Sequence, residues 1–283
     1  MIDIILTITA LIFLIIASIQ DLRKREVMDW LNYTLIGYAI LLRAVFSIYE
    51  KTFVYIQDGV LGLIAGVILG YIMFYTGQWG GGDSKLLMGM GALIGLKLSF
   101  ASKLPIFVLN IFIAGAIYGL FFSIYLVWKN KKAFTKKFRE QFAKFRKLHS
   151  ILLITGLAVL ISLKFVDKFT AFMFVSVSLL AYFLFYLILF AKVVEKTCMI
   201  KLYHPKELTE GDWIVDEIKY KNKVIASPKD LGLTKPQIAK IQKLYAEKKI
   251  NKILVKEGIP FVPSFLIAYI MIMSLGNWIV YFI

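Results

Sequence analysis

The sequence has few of the residues that build disulfides and metal clusters. Its 283 residues include one cysteine, Cys198, and two histidines, His149 and His204. A single cysteine excludes both an intrachain disulfide and a cysteine-based metal cluster. Both histidines lie near basic sequence that flanks apolar runs, which is typical of interfacial or surface histidines. We therefore predict no metal and no cofactor.

Acidic residues are also scarce. The chain has 18 Asp and Glu against 34 Lys and Arg, a formal net charge of +16. In a soluble protein such a charge would suggest a nucleic-acid partner. Here the basic residues cluster in a few loops between apolar runs, which is the pattern of cytoplasmic loops in membrane proteins. We therefore predict no nucleic-acid partner.

Apolar residues dominate what is present, at 59% of the chain with a mean hydropathy of +0.75. They are gathered into runs close to the roughly 20 residues that cross a bilayer as a helix. The first run lacks the basic start and cleavage site of a signal peptide, so we expect a retained span. The predicted fold class is an all-α polytopic membrane protein. We predict about eight transmembrane helices, at residues 4–20, 31–49, 54–75, 84–98, 105–128, 150–165, 169–193 and 261–283.

Loop charge predicts the orientation of these spans. Residues 23–25 and 129–147 are rich in Lys and Arg, and such loops stay in the cytoplasm. Both termini are then outside, and residues 195–258 are inside.

The long inner segment before the last span is predicted to be a small α+β domain. Thr234 as cap, Pro236 in the first turn and Ile238, Ile241 and Leu244 at helical spacing, with Tyr245 beside them, predict one helix. Short β-prone pieces occur at 213–215, 219–225 and 253–255.

Glycines recur at every fourth position in several spans. Such spacing lets helix backbones approach closely in lipid. The positions are Gly62, Gly66 and Gly70, then Gly91 and Gly95, then Gly115 and Gly119.

Two carboxylates, Asp21 and Asp83, lie at matching depth in this topology. Asp21 ends the inward first span and Asp83 begins the outward fourth, so both lie at the cytoplasmic edge. An ionisable group at membrane depth is costly and is a candidate for function by default. Two carboxylates held close can share one proton, so that one activates water and the other protonates a carbonyl oxygen or leaving amine.

Gly80, Gly81 and Gly82 precede Asp83 directly. Glycine permits backbone angles closed to other residues and leaves room for a substrate strand. Non-helical backbone at this depth is tolerated only where it lines a cavity. These glycines are therefore predicted to shape a water-using site.

Each aspartate also has a purely structural interpretation. Asp21 would pair with Arg23 or Arg25 at the membrane interface. Asp83 would cap a helix, with Lys85 extending to the lipid headgroups.

The run from Gly80 to Asp83 fits the GxGD motif of polytopic aspartic proteases, which include presenilin, signal peptide peptidase and type IV prepilin peptidases. Residues 20–30, with Asp21 before a basic cluster, resemble the segment around the first aspartate of prepilin peptidases. In that family the first aspartate ends the first span, and GxGD followed by a lysine, here Lys85, opens the fourth. Bacterial members usually carry Pro-Asn where this chain has Met28-Asp29, so the resemblance is to the archaeal prepilin and preflagellin (archaellin) peptidases.

This resemblance covers residues 1–128 and, more weakly, 257–263. It implies an aspartic endopeptidase with Asp21 and Asp83 as catalytic pair. Archaeal members have about six spans, so one hairpin is additional. The predicted organisation is a peptidase core (1–128), a basic loop or interfacial helix (129–149), an additional hairpin (150–193), a small cytoplasmic domain (194–259) and a last span (260–283). The family's methyltransferase activity, linked to cysteine pairs, is not expected here.

The resemblance also implies the substrates, which are precursors of archaeal pilins or archaellins. Their short basic leader precedes an apolar helix and is removed at the cytoplasmic side. Glu26 and Asp29 are candidate contacts for the leader's charge, although pairing with neighbouring Arg and Lys residues is the favoured explanation of both.

Two other functions use the same features. An ion-coupled transporter would use the paired aspartates, but it predicts inverted repeats, which the hydropathy pattern lacks, and polar sites near the midplane. A scaffold would use the basic stretch 129–147 to bind anionic lipid headgroups, with a stripe of phenylalanines along the membrane surface. The second is compatible with protease activity. Serine chemistry is unsupported, because there is no Gly-x-Ser-x-Gly.

Overall fold

The computed structural model describes residues 2–97, 102–162, 164–221 and 223–278. Ten α-helices occur in these residues, at α1 (Ile2–Lys24), α2 (Asp29–Tyr49), α3 (Val54–Tyr75), α4 (Gly81–Ile94), α5 (Lys103–Lys129), α6 (Lys131–Lys144), α7 (Arg146–Ser162), α8 (Lys168–Val194), α9 (Lys235–Ala246) and α10 (Val262–Leu275). A π-helical turn, Glu195–Met199, continues α8. The five short strands are β1 (Ile200–Tyr203), β2 (Trp213–Ile214), β3 (Ile218–Tyr220), β4 (Lys223–Ala226) and β5 (Ile253–Lys256).

Every predicted span coincides with a helix. Five described helices, α1, α2, α3, α5 and α8, are long and apolar enough to cross a membrane, and α6 with α7, bent by 69°, could make a sixth. The coarse fold class, a mostly helical polytopic membrane protein, is thereby confirmed. The count of eight stays a prediction. Residues 98, 163 and 279–283 of the predicted spans lie outside the described residues.

Helix α4 is too short to cross a membrane unaided. It has 14 residues, which at about 1.5 Å each reach roughly 21 Å, against about 30 Å for the hydrocarbon core. Its neighbours α3 and α2 contact it along its length. Helix α4 is therefore held by contacts with protein.

Glycines make the α3–α4 contact possible. A Cβ on Gly62 would lie 2.1 Å from the Gly91 carbonyl oxygen, and one on Gly66 would lie 2.9 Å from that of Leu87. The predicted close packing at these glycines is confirmed. It is wrong for Gly119, which has no atom within 4 Å of a built Cβ, whereas Gly115 receives the Phe261 ring.

A buried arginine fixes the far end of α4. Arg43, on α2, is only 4% exposed. Its guanidinium donates to the carbonyl oxygens of Tyr55 and Leu93, both at 2.9 Å. Leu93 lies in the last turn of α4, where carbonyls have no partner within the helix. Arg43 therefore joins α2, α3 and the end of α4.

The chain forms two compact units, and the first comprises residues 1–121, 204–251 and 258–283. Within this unit, residues 204–251 contain β2, the antiparallel hairpin β3–β4 and α9. Thr234 caps α9 together with Gln237, and Ile238, Ile241 and Leu244 are buried, which confirms the predicted helix. The predicted β piece 219–225 is instead two strands, because the chain turns at Lys221, where φ is +47°.

The second unit comprises residues 122–203 and 252–257. Strand β1 pairs antiparallel with β5, Ile200 opposite Lys256. The phenylalanine stripe of α6 packs on α8, with Phe134 against Phe190 and Phe142 against Tyr186. Helix α8 therefore covers part of this stripe, and the position of α6 at the membrane surface stays a prediction.

The glycine packing generates a stability prediction. Gly62→Ala should lower the melting temperature in detergent, because its Cβ meets the Gly91 carbonyl, and overpacking costs about 1–3 kcal/mol. The matched control is Gly37→Ala, also mid-helix, with no atom within 4 Å. It should be neutral or stabilising, since alanine favours a helix over glycine by roughly 0.5–1 kcal/mol. Equal melting temperatures for the two variants would contradict this packing.

Candidate active site

Asp21 lies in the last turns of α1 and is only 5% exposed. Its Oδ2 atom accepts the backbone N–H of Val262 at 2.8 Å. Val262 is the first residue of α10, and N–H groups at a helix start have no partner within the helix. The alternative pairing of Asp21 with Arg23 or Arg25 stays a prediction. The start of the last helix thus holds the carboxylate near the end of the first.

Asp83 is half-buried at the third position of α4. Its Oδ2 atom accepts the Gly80 N–H at 3.2 Å, so Asp83 closes a cap on its own helix. The sequence predicts that Asp83 opens this helix, but α4 begins two residues earlier, at Gly81. Both aspartates are therefore bound to the N–H groups of a helix start.

Asp21 and Asp83 come from positions 62 apart in sequence, near the end of α1 and the start of α4, and α1 contacts α4. The fold therefore brings the two carboxylates onto contacting helices. A carboxylate pair can support proton sharing and water activation, whereas either group alone cannot.

The three glycines before Asp83 act through their small size. Gly80 is extended, with φ −68° and ψ 163°, and Gly81 and Gly82 are helical. A Cβ on Gly82 would lie 3.3 Å from the Val27 nitrogen. None of the three uses the unusual backbone angles that glycine permits, and their predicted role in leaving room for a substrate strand stays a prediction. The left-handed residue in this turn is Gly77, with φ +67°.

Lys85 joins α4 to the start of α2. Its Nζ atom donates to Asp29 Oδ1 at 2.5 Å and lies 5.6 Å from the centre of the Tyr33 ring. Asp29 therefore pairs with Lys85 and not, as expected, with a basic residue next to it in sequence. Its side chain is still 61% exposed, and Glu26 is also exposed.

An aromatic cluster that the sequence did not predict connects the segment before Gly80, which binds Asp83, to the segment around Val262, which binds Asp21. Trp79, directly before Gly80, is 6% exposed, and its ring centre lies 5.7 Å from that of Phe261 and 5.3 Å from that of Phe265. Phe261 precedes Val262 and packs on Gly115 of α5. Tyr118, one turn further along α5, lies within range of the Asp21 charge. No spacing rule relates these residues.

Within the described residues, no three His, Cys, Asp or Glu side chains come together as a group that could hold a metal ion. The prediction that the chain binds no metal stays a prediction.

Comparison with known proteins gives matches in this same region. Residues 8–120 match the type IV leader peptidase family. Preflagellin peptidases of Methanococcus voltae and Methanococcus maripaludis are 38% and 33% identical over 132 and 128 residues, which cover 42% and 41% of this chain. The prepilin peptidase EppA of Methanothermobacter thermautotrophicus is 22% identical over 231 residues, 73% of this chain and 59% of that relative. The chain spans 55% of the length of each Methanococcus relative.

The family match begins within α1, ends within α5 and contains α2, α3 and α4 entirely. Asp21, Asp83 and Lys85 all fall inside it. The likeness of this chain to the type IV leader peptidase family is therefore carried by residues 8–120.

Proposed function

We propose that this chain is a membrane-embedded aspartic endopeptidase that removes the short basic leader of preflagellin-like or prepilin-like precursors. The observation that carries the proposal is the juxtaposition of Asp21 and Asp83 within the segment that matches the family. The named relatives supply the substrate class, since the similar proteins from Methanococcus are preflagellin peptidases.

The two carboxylates would act as a pair. One proton is shared between them, because both cannot ionise cheaply at short range. The ionised member takes a proton from water, and the protonated member donates to the carbonyl oxygen or leaving amine of the scissile peptide. The pair titrates as a unit, so acid and base roles are not divided between Asp21 and Asp83.

Acidic groups beside the pair suit a basic leader. Glu26 is exposed, and Asp29 is largely exposed even while bonded to Lys85. We assign both as contacts for the leader's positive charge, with Lys85 exchanging for a leader cation at Asp29.

We place this site at the cytoplasmic edge of the membrane, with both termini outside. The basic loop after α1 and the basic helix α6 are both cytoplasmic in this arrangement. We retain eight spans, in which α4 and α10 cross with the support of their neighbours. The outward Lys and Arg face of α6 would contact anionic lipid headgroups, since α8 already covers its aromatic stripe.

The first functional prediction concerns the two aspartates. Asp21→Asn and Asp83→Asn keep the size of the side chain and remove its ionisation, so each should abolish cleavage of a preflagellin or prepilin precursor. The matched control is Asp3→Asn, at the exposed opposite end of α1. It should cleave at a wild-type rate in the same membranes.

Three results would count against the proposal. Near-normal cleavage by either folded Asn variant would make that aspartate structural. Failure of the wild type on every leader-bearing precursor would remove the substrate class. Proton or ion flux through wild-type proteoliposomes without cleavage would favour the transporter.

The second functional prediction concerns orientation. In a Cys198→Ser background, a Glu50→Cys variant should react with a membrane-impermeant maleimide in intact cells. A Lys24→Cys variant should react only after permeabilisation. Both positions are exposed, and they lie at opposite ends of α2, Lys24 before its start and Glu50 directly after its end. Labelling of position 24 in intact cells would reverse the proposed topology.

A further inference from the structure

Residues 204–251 lie outside the family match, yet they share a compact unit with the membrane core. Their contact with the site is made by Trp213. A Cβ built on Gly77 would lie 3.2 Å from the Trp213 Cη2 atom. The indole ring therefore rests on the backbone of the turn between α3 and α4.

This turn carries Asp83. Gly77 has the left-handed φ of +67° that ends α3. Backbone N–H groups of Gln78 and Trp79 then return to the Met73 carbonyl, at 2.9 and 3.2 Å. Asp83 follows Gly77 by only six positions, so a displacement of the turn would move the start of α4.

The loop that presents Trp213 is braced from behind. Gly211 N–H donates to the Leu233 carbonyl, and Leu233 N–H donates to the Asp212 carbonyl, each at 2.8 Å. A Cβ on Gly232 would lie 2.6 Å from the Gly211 carbonyl oxygen. These contacts join the loop around Gly211 to the loop around Gly232 and so restrict the position of Trp213.

Glu210, in the same loop, forms its ion pair with Lys235 of α9 at 3.4 Å. The contact of the loop 209–213 with the α3–α4 turn is therefore made by the Trp213 ring on Gly77.

We propose that the extramembrane segment 204–251 is a positioning element of the active site, in which Trp213 holds the α3–α4 turn so that Asp83 faces Asp21. Trp213 is a positioning residue and touches neither substrate nor reacting atoms. The inference rests on the proposed function, because positioning has meaning only if the aspartates act.

The kinetic test compares Trp213→Ala, Trp213→Phe and Tyr220→Ala. Tyr220 is a half-buried aromatic of the same segment, in strand β3, and serves as the matched control. Trp213→Ala should lower kcat by about tenfold or more, since small displacements of catalytic groups are costly, with KM changed by less than about twofold. Trp213→Phe should restore most of kcat, and Tyr220→Ala should match wild type. A loss confined to KM, or no rescue by Phe, would overturn the positioning role.

Hydrogen exchange gives a readout that needs no substrate. Backbone amides of residues 74–83 should exchange faster in Trp213→Ala than in wild type, and at wild-type rates in Trp213→Phe and Tyr220→Ala. An inactive wild type would overturn the proposed function and the catalytic meaning of this contact. An active wild type, with kinetics and exchange unchanged in Trp213→Ala, would overturn this inference alone.

Discussion

The hydrogen bond from the Val262 N–H to Asp21 is the contact on which the site depends. A buried carboxylate needs a partner, and a helix start has N–H groups without one. The two residues are 241 positions apart, so the bond joins the first membrane helix to the last. Phe261, the residue before Val262, packs between the Trp79 ring and Gly115, where there is no side chain. The aromatic cluster thus serves the same end as the hydrogen bond.

Asp83 is positioned differently, by the short helix α4, whose two ends are both bound by neighbouring helices. Glycines 62 and 66 let α3 lie against α4 backbone to backbone. At the far end Arg43 binds the Leu93 carbonyl, and at the near end the Asn32 amide donates to the Gly82 carbonyl at 3.3 Å. A helix of 14 residues has little lipid contact of its own to orient it. Its depth, and with it that of Asp83, is set by these neighbours.

The sequence predicted what depends on local pattern. The apolar runs located the helices, because a helix that crosses a bilayer needs a continuous run of apolar residues in the sequence. Asp21 and Asp83 were singled out because an ionisable side chain is energetically costly within a membrane. The sequence could not tell whether a glycine serves an unusual φ, as at Gly77, or a close approach, as at Gly82, because composition does not distinguish the two. Val262, Trp79 and the pairing of Asp29 with Lys85 depend on contacts between distant segments, which no local period encodes.

Asp21 and Asp83 each accept an N–H group at a helix start. The N–H of Val262 begins α10 and that of Gly80 precedes α4, so each carboxylate meets the positive end of a helix dipole. Such ends favour one negative charge each, but mutual repulsion opposes two. Under the proposed function, this opposition would leave the pair one charge and one proton to share, which is the state that water activation requires. Gly80, Gly81 and Gly82 have no side chains, so they leave the N–H groups of this helix start open to a carboxylate.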